Sequence, residues 1–464
     1  MRDLGFAMVW AILFPITFWS AHVGILLWIW VALLGPNERL YGFMSEVPFN
    51  KVVAIVTLLL IFLNNQKKKF YVDATVGLIF VLMVVGTLAA IFPQVSDDDG
   101  QFLYEKLLKE FALLLTIIAV MWDRQRLTWT VWALCIGVGF TASVEGLEYA
   151  ASGGGHRIVS TVAMGDNNSI AVAVLMTIPL LHYLRSTSAV RVSRLALLGL
   201  IVLSVICVIG TNSRGGFIGL MLLFGAMVLR SKNKLPLIAL GVVGMVLVLV
   251  LAPASWFERM NTIQDAGENL SFLGRVVAWK ISTMMALDHP LFGSGFHAVQ
   301  RWANWQHYRN NLGLLDFVPT PPPDVLPHAA HSIYFEILGD LGFTGLMAFV
   351  GILLAALYNC QVVISRTRNI VELQWASSLA RMLQISIVIY MVSGALLSMG
   401  YYEGFWIVIA IISRLRRTTM DLLAERAGSG AGLGGGRARG LPQAAAEPNR
   451  AAPDVEVALA RLMP

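Results

Sequence analysis

RLALLGLIVLSVICVIGTNSRGGFIGLMLLFGAMVLR (194–230) is two apolar runs separated by a polar turn, and it decides the fold. As helices rising about 1.5 Å per residue, 194–210 and 213–230 come close to crossing a hydrocarbon core of roughly 30 Å. Working outward, comparable runs occupy 5–34, 50–64, 73–93, 105–122, 127–147, 169–185, 235–252, 343–364, 376–398 and 403–415. The chain is 57% hydrophobic and 13% charged, with a mean hydropathy of +0.70. Ordinary soluble domains do not reach those values. The expected fold class is an all-α polytopic membrane protein of about twelve helices, with spans 1–9 in residues 1–252 and spans 10–12 in 343–426. Residues 5–34 are too long for the apolar core of a signal peptide and end in no small-residue cleavage site. They read as one span broken at Pro15, or as two short helices.

Charge alternates between the connections. One set carries Lys67, Lys68 and Lys69; Arg124 and Arg126; Arg185, Arg191 and Arg194; Arg230, Lys232 and Lys234; Arg366 and Arg368; and Arg414, Arg416 and Arg417. The intervening set carries Asp97, Asp98 and Asp99 or little charge. The positive-inside rule makes the basic set cytoplasmic, with both termini inside and residues 253–342 outside. The net charge of +6 is explained by topology and gives no reason to expect nucleic acid. Cys135, Cys207 and Cys360 lie far apart in apolar runs, as small buried hydrophobes do. From 427 to 464 the composition turns to Gly, Ala, Arg and Pro, which predicts a disordered cytoplasmic tail.

The external region 253–342 interrupts the apolar chain with Trp279, Trp302, Trp305 and Tyr308 near Arg and His, a turn TPPPDVLP (320–327), and HAAHSIYFE (328–336). A chain built only to span would not need it, whereas an enzyme acting on a lipid-held substrate would. Several cations fall on this outer side: Lys106, Lys109, Arg214, Arg259, Arg275, Lys280, Arg301 and Arg309. A cation in or near hydrocarbon costs several kcal/mol unless it faces a polar cavity or partner. Snorkelling accounts better for Lys106. Arg214 lies in SRGG (213–216), where two glycines leave room for an anionic ligand to approach the backbone. Residues 271–287 predict an amphipathic helix on the outer surface with Arg275, Trp279 and Ser282 on one face. The bland alternative is a solvated face against the membrane. HPLFGSGF (289–296) follows as a turn. Converging guanidinium groups suit a pyrophosphate, whose negative charge grows as its bond to carbon breaks.

HAAHSIYFEILGDLGFTG (328–345) has the pattern of a short helix ending at glycine, with His331, Tyr334, Phe335 and Leu338 sharing a face. An imidazole in a first helical turn stays neutral near the positive end of the helix dipole, which makes His331 a candidate general base. The bland reading is a satisfied buried histidine or cap. His328 is read as supporting, and two histidines at this spacing without a third ligand are a weak metal signal. GDNNS (165–169) places Asp166, Asn167 and Asn168 at another outer span start. At least one of them caps the helix, and the others can reach sugar hydroxyls.

In this order SRGG, GRVVAW with HPLFGSGF, and HAAHSIYFEILGDLGFTGL resemble the O-antigen ligase and polymerase superfamily of bacterial inner-membrane glycosyltransferases. GDNNSIAVAVLMTIPLLHYL (165–184), WFERMNTI (256–263) and AAHSIYFEILGDLGFTGL (329–346) are more closely similar to the O-glycosylation ligases associated with exosortase A systems. The resemblance covers most of the chain except the tail. It implies transfer of a glycan from undecaprenyl pyrophosphate to an acceptor hydroxyl on the periplasmic face, with no cofactor, nucleotide sugar or metal. The acceptor differs among members: lipid A–core, a growing glycan, or protein. The family's external histidine and arginines match His331, Arg214 and Arg275; Arg259 and Lys109 match as further substrate-binding cations. Asn167, Asn168, His328, Tyr334 and Trp279 complete the expected substrate-binding set. The alternatives are a polymerase of the same superfamily and a transporter or flippase of lipid-linked glycans.

Overall fold

The computed structural model describes residues 2–63, 68–95, 98–161, 164–230, 270–309 and 326–433, with a few positions between 233 and 241. The chain divides into two compact units, Met1–Met420 and Asp421–Pro464. The helices are α1 (Arg2–Ile16), α2 (Ala21–Leu34), α3 (Pro36–Arg39), α4 (Phe49–Leu63), α5 (Ala74–Ile91), α6 (Asp98–Val120), α7 (Arg124–Ala151) and α8 (Asn167–Thr187). They continue as α9 (Arg191–Gly210), α10 (Arg214–Arg230), α11 (Leu270–Asp288), α12 (Trp302–Arg309), α13 (Ile333–Thr367), α14 (Gln374–Ser393) and α15 (Glu403–Leu433). A two-stranded ribbon pairs Ser160–Thr161 with Gly165–Asp166. The architecture is otherwise helical among the described residues.

Among the described residues seven helical segments are long and apolar enough to cross a membrane, against the twelve spans expected. The shortfall has local causes. Residues 5–34 form two helices, α1 and α2, joined by a 3-10 turn at Thr17–Trp19, and α2 is only 14 residues long. α4 has 15 residues and α10 has 17. The first turns of α6 carry Asp98, Asp99, Glu105, Lys106, Lys109 and Glu110. The expected span 235–252 lies outside the described residues. The last helix reaches Leu433, so residues 427–433 are helical where the sequence suggested disorder. Residues 434–464 lie outside the described residues.

α7, α8, α9, α10, α13 and α14 pack as neighbours in one bundle, and α13 also packs on α5 and α11. Three of the basic connections, those bearing Lys69, Arg126 and Arg414, lie close together. The Lys69 ammonium stands 4.8 Å over the Trp122 ring, and the Arg126 guanidinium 5.0 Å over the same ring. Arg414 Nη1 donates to the Lys69 carbonyl at 2.8 Å. The cysteines are buried and free.

α13 is broken at Gly342, whose φ of 67° lies in the left-handed region. The break frees the carbonyls of Gly339 and Asp340, which need new donors in an apolar setting. The turn after α11 supplies them: Ser294 N–H donates to Gly339 O at 3.0 Å and Gly295 N–H to Asp340 O at 3.1 Å. Phe343 N–H returns to Pro290 O at 2.9 Å. Gly293 has no room for a side chain, since an added Cβ would lie 2.4 Å from Asp340 O. The turn 289–296 thus docks α11 on the kink and fixes the half-helix that follows His331.

Candidate functional site

α11 forms where the amphipathic pattern predicted it, but it does not lie on an outer surface with only one face covered. Val277, Ala278, Ile281 and Met285 are buried in a cluster with Trp305, Tyr308 and Ala330. The face bearing Arg275, Trp279 and Ser282 meets the 328–339 run. Trp279 Nε1 donates to Ala330 O at 2.6 Å, and its ring stacks on Phe335 with centroids 5.2 Å apart. A Cβ on Gly339 would touch Ser282 Oγ at 3.0 Å, and one on Gly274 would strike the His328 ring at 2.7 Å. The bland reading of this face as solvated is therefore replaced by a packed one. Arg275 sits half-buried within it.

α13 begins at Ile333 with Ser332 as its N-cap, so His331 precedes the helix rather than occupying its first turn. It does not share a helical face with Tyr334, Phe335 and Leu338. Its φ is +44°, and its backbone N–H donates to Ser398 Oγ at 2.9 Å. Glu336 and Asp340 strengthen the same attachment from buried positions. Gly400 N–H donates to Glu336 Oε2 at 2.8 Å, and the Tyr401 hydroxyl to Asp340 Oδ2 at 3.1 Å. The segment 398–401 holds the half-helix from one side while the 289–296 turn holds it from the other.

Asp166 is the N-cap of α8, accepting from Ser169 N–H at 2.8 Å, as the GDNNS pattern suggested. Asn168 Nδ2 donates to Asp166 Oδ2 at 3.1 Å. Asn167 Nδ2 donates to Thr211 O at 2.8 Å, tying this turn to the one that opens α10. Ser213 Oγ accepts from Gly216 N–H at 3.0 Å and caps α10. The two glycines of SRGG divide their work. Gly216 allows close packing, since its Cβ would lie 2.8 Å from Ala171, whereas Gly215 has open space beside Arg214.

Arg275 links these elements electrostatically: Asp166 and Arg214 act on it, and it acts with Asp166 and His328 on His331. Burial holds His331 below the ordinary histidine value; the Arg275 guanidinium and His328 push it further down, and Asp166 opposes them. These shifts favour the neutral imidazole without the helix dipole. Burial also lowers Arg275, with Asp166 opposing and Arg214 adding to the effect. Asp166 is pushed up by burial but ends below its usual range, because Ser169 and Asn168 bond to it and His331 lies near. His328 is lowered by burial and Arg275. Arg275 Nε is buried without a hydrogen-bond partner among the described residues. A buried donor in that state calls for an acceptor that the described residues do not supply.

Other expected contributors are placed differently. Lys109 Nζ lies 3.9 Å from Glu105 on α6 and is not among the charges acting on His331 or Arg275. The Tyr334 hydroxyl donates to Met391 O at 3.0 Å. Arg259 lies outside the described residues. The sequence reading gave Asp166 a capping or sugar-binding role rather than an electrostatic one, and it missed Ser398, because their neighbours here come from distant parts of the chain. It also passed over Glu145, Glu148 and His156, whose ligand atoms lie within 4.8 Å of one another. One nitrogen and two carboxylates could hold a divalent cation. His156 Nε2 is already 2.9 Å from Glu145 Oε2.

Residues 199–350 match the O-Antigen ligase family. Residues 1–189 match a Family of unknown function (DUF5935). No curated protein matches the chain. The ligase match implies a glycosyltransferase-like enzyme for lipid-linked glycans in a multi-pass membrane protein. Arg214, Arg275, His328 and His331 come from the ligase match, whereas Asp166 comes from the other. The charged cluster is thus assembled from both matched segments.

Proposed function

We propose that this protein transfers a glycan from undecaprenyl pyrophosphate to an acceptor hydroxyl at the periplasmic face of the bacterial inner membrane. The observation that carries the proposal is Arg275: its buried Nε has no hydrogen-bond partner among the described residues, and it interacts electrostatically with Arg214 and with His331, whose pKa it lowers. His331 takes the proton of the acceptor O–H as the oxygen attacks the anomeric carbon. The carbon–oxygen bond to pyrophosphate breaks on the opposite face, giving inversion, and its electron pair leaves on the pyrophosphate. Arg214 and Arg275 hold that charge as it develops, so they stabilise the transition state more than the bound donor. The imidazolium then returns its proton to solvent. Asp166 sets the charge balance and supports a protonated His331 after the transfer. Arg214 opens a helix, so the N–H groups of that first turn add to the pull on a phosphate.

The acceptor is a hydroxyl of lipid A–core, of a growing glycan or of protein. The test is purified protein with a synthetic polyprenyl-pyrophosphate sugar and each acceptor in turn, following product and released pyrophosphate lipid. His331→Ala should bind donor yet form no product. Near-normal transfer by that variant would remove the base. Movement of donor across sealed vesicles with no acceptor present would favour a flippase instead.

A further inference from the structure

The helices that begin at the charged cluster end at a second one. α8 runs from Asn167 to Thr187 and α10 from Arg214 to Arg230, so their C-termini lie at the opposite end of the bundle. A cavity of about 450 Å³ opens there, with His182, Ser186, Arg230, Gln361, Arg381 and Gln384 in its wall. A second of about 430 Å³ shares Arg230, Gln361 and Gln384 but is otherwise lined by Leu222, Ala226, Leu357, Ile385, Val388 and Ile389. Together they make a cleft with a cationic, polar mouth and an apolar continuation toward the middle of the helices.

No Asp or Glu lines either part. Arg230 Nη1 donates to Arg381 O at 2.8 Å, and Nη2 donates to Gln384 Oε1 at 2.7 Å, so its guanidinium is fixed beside Arg381. Among the described residues no carboxylate pairs with either arginine. The Arg381 charge acts on Arg230; two like charges in reach of each other without a counter-charge repel, and an anion shared by them relieves the repulsion through charge-assisted bonds. The apolar half adds a requirement that a free anion does not meet: its ligand carries a hydrocarbon chain. Basic clefts between membrane helices have this combination when they hold acidic lipids. By the charge pattern of the connections this end is cytoplasmic, where acidic lipid would reach it from the inner leaflet.

We propose that this cleft binds an anionic glycerophospholipid, its headgroup phosphate between Arg230 and Arg381 and an acyl chain along Leu222, Ala226 and Ile385. The site is separate from the proposed transfer chemistry and does not depend on it. Native mass spectrometry of the purified full chain with phosphatidylglycerol, phosphatidylethanolamine or inorganic phosphate tests it directly. Wild type should retain one phosphatidylglycerol with at least tenfold preference over phosphatidylethanolamine. Arg230→Gln with Arg381→Gln should lose that preference. Ala226→Trp, which leaves the charges in place and fills the apolar half, should weaken retention at least tenfold, so the idea remains testable if the double variant does not fold. Equal retention of both lipids, or unchanged retention in Ala226→Trp, would overturn the proposal. Displacement of phosphatidylglycerol by inorganic phosphate at similar concentration would also do so, reducing the cleft to an anion site.

Discussion

A neighbouring cation makes an imidazole a weaker base and a neighbouring anion makes it a stronger one, so charge changes around His331 should appear in the pH profile. The base works unprotonated, and kcat/KM therefore falls as pH drops through its pKa. Because that value is depressed, the acidic limb for wild type should lie below the ordinary 6.5. Arg275→Gln removes a depressing charge and should move the limb to higher pH. Asp166→Asn removes the opposing charge and should move it lower. If both variants move the limb the same way, the electrostatic account is wrong. Arg275→Lys keeps the charge but not the planar fork, and turnover should fall by on the order of 10²-fold. His331, Arg214 and Arg275 drew notice in the sequence because charge expected on the outer side of an apolar chain demands a reason, and the structure sets Arg275 in electrostatic reach of the other two. Asp166 was not legible in this role, because capping already explained it.

At the scale of elements, α11, the 289–296 turn and the half-helix after His331 were each readable from periodicity and glycine placement. Their joining was not, because the carbonyls of Gly339 and Asp340 find donors some 45 residues away in sequence. Gly342→Ala tests that joint. At a φ of 67° an L-residue is strained, and its Cβ would sit 2.7 Å from Pro290 O. The cost should be about 1–3 kcal/mol, read as a lowered melting temperature in detergent together with lost transfer. Trp279→Phe is the milder companion. It keeps the stack on Phe335 but leaves Ala330 O without its donor, for about 1–3 kcal/mol. An unchanged melting temperature in both variants would mean the half-helix is held by something else.

For the whole molecule, the helical membrane class was evident from composition, but the number of crossings was not. Short helices such as α2 and α4 bury apolar surface on protein without the length of a span, and hydropathy does not distinguish the two outcomes. Sidedness can be measured because the native cysteines are buried. A cysteine at Gly154 should react with an impermeant maleimide in intact cells once the outer membrane is opened, and one at Ser188 should not. The reverse pattern would invert the topology and place His331 on the cytoplasmic side. His331 itself has a consequence for folding. Its left-handed backbone costs roughly 1–2 kcal/mol for any residue with a Cβ, a penalty that glycine escapes. His331→Gly should therefore melt higher than His331→Ala although neither transfers sugar, exposing a local instability that the fold tolerates at its most reactive point.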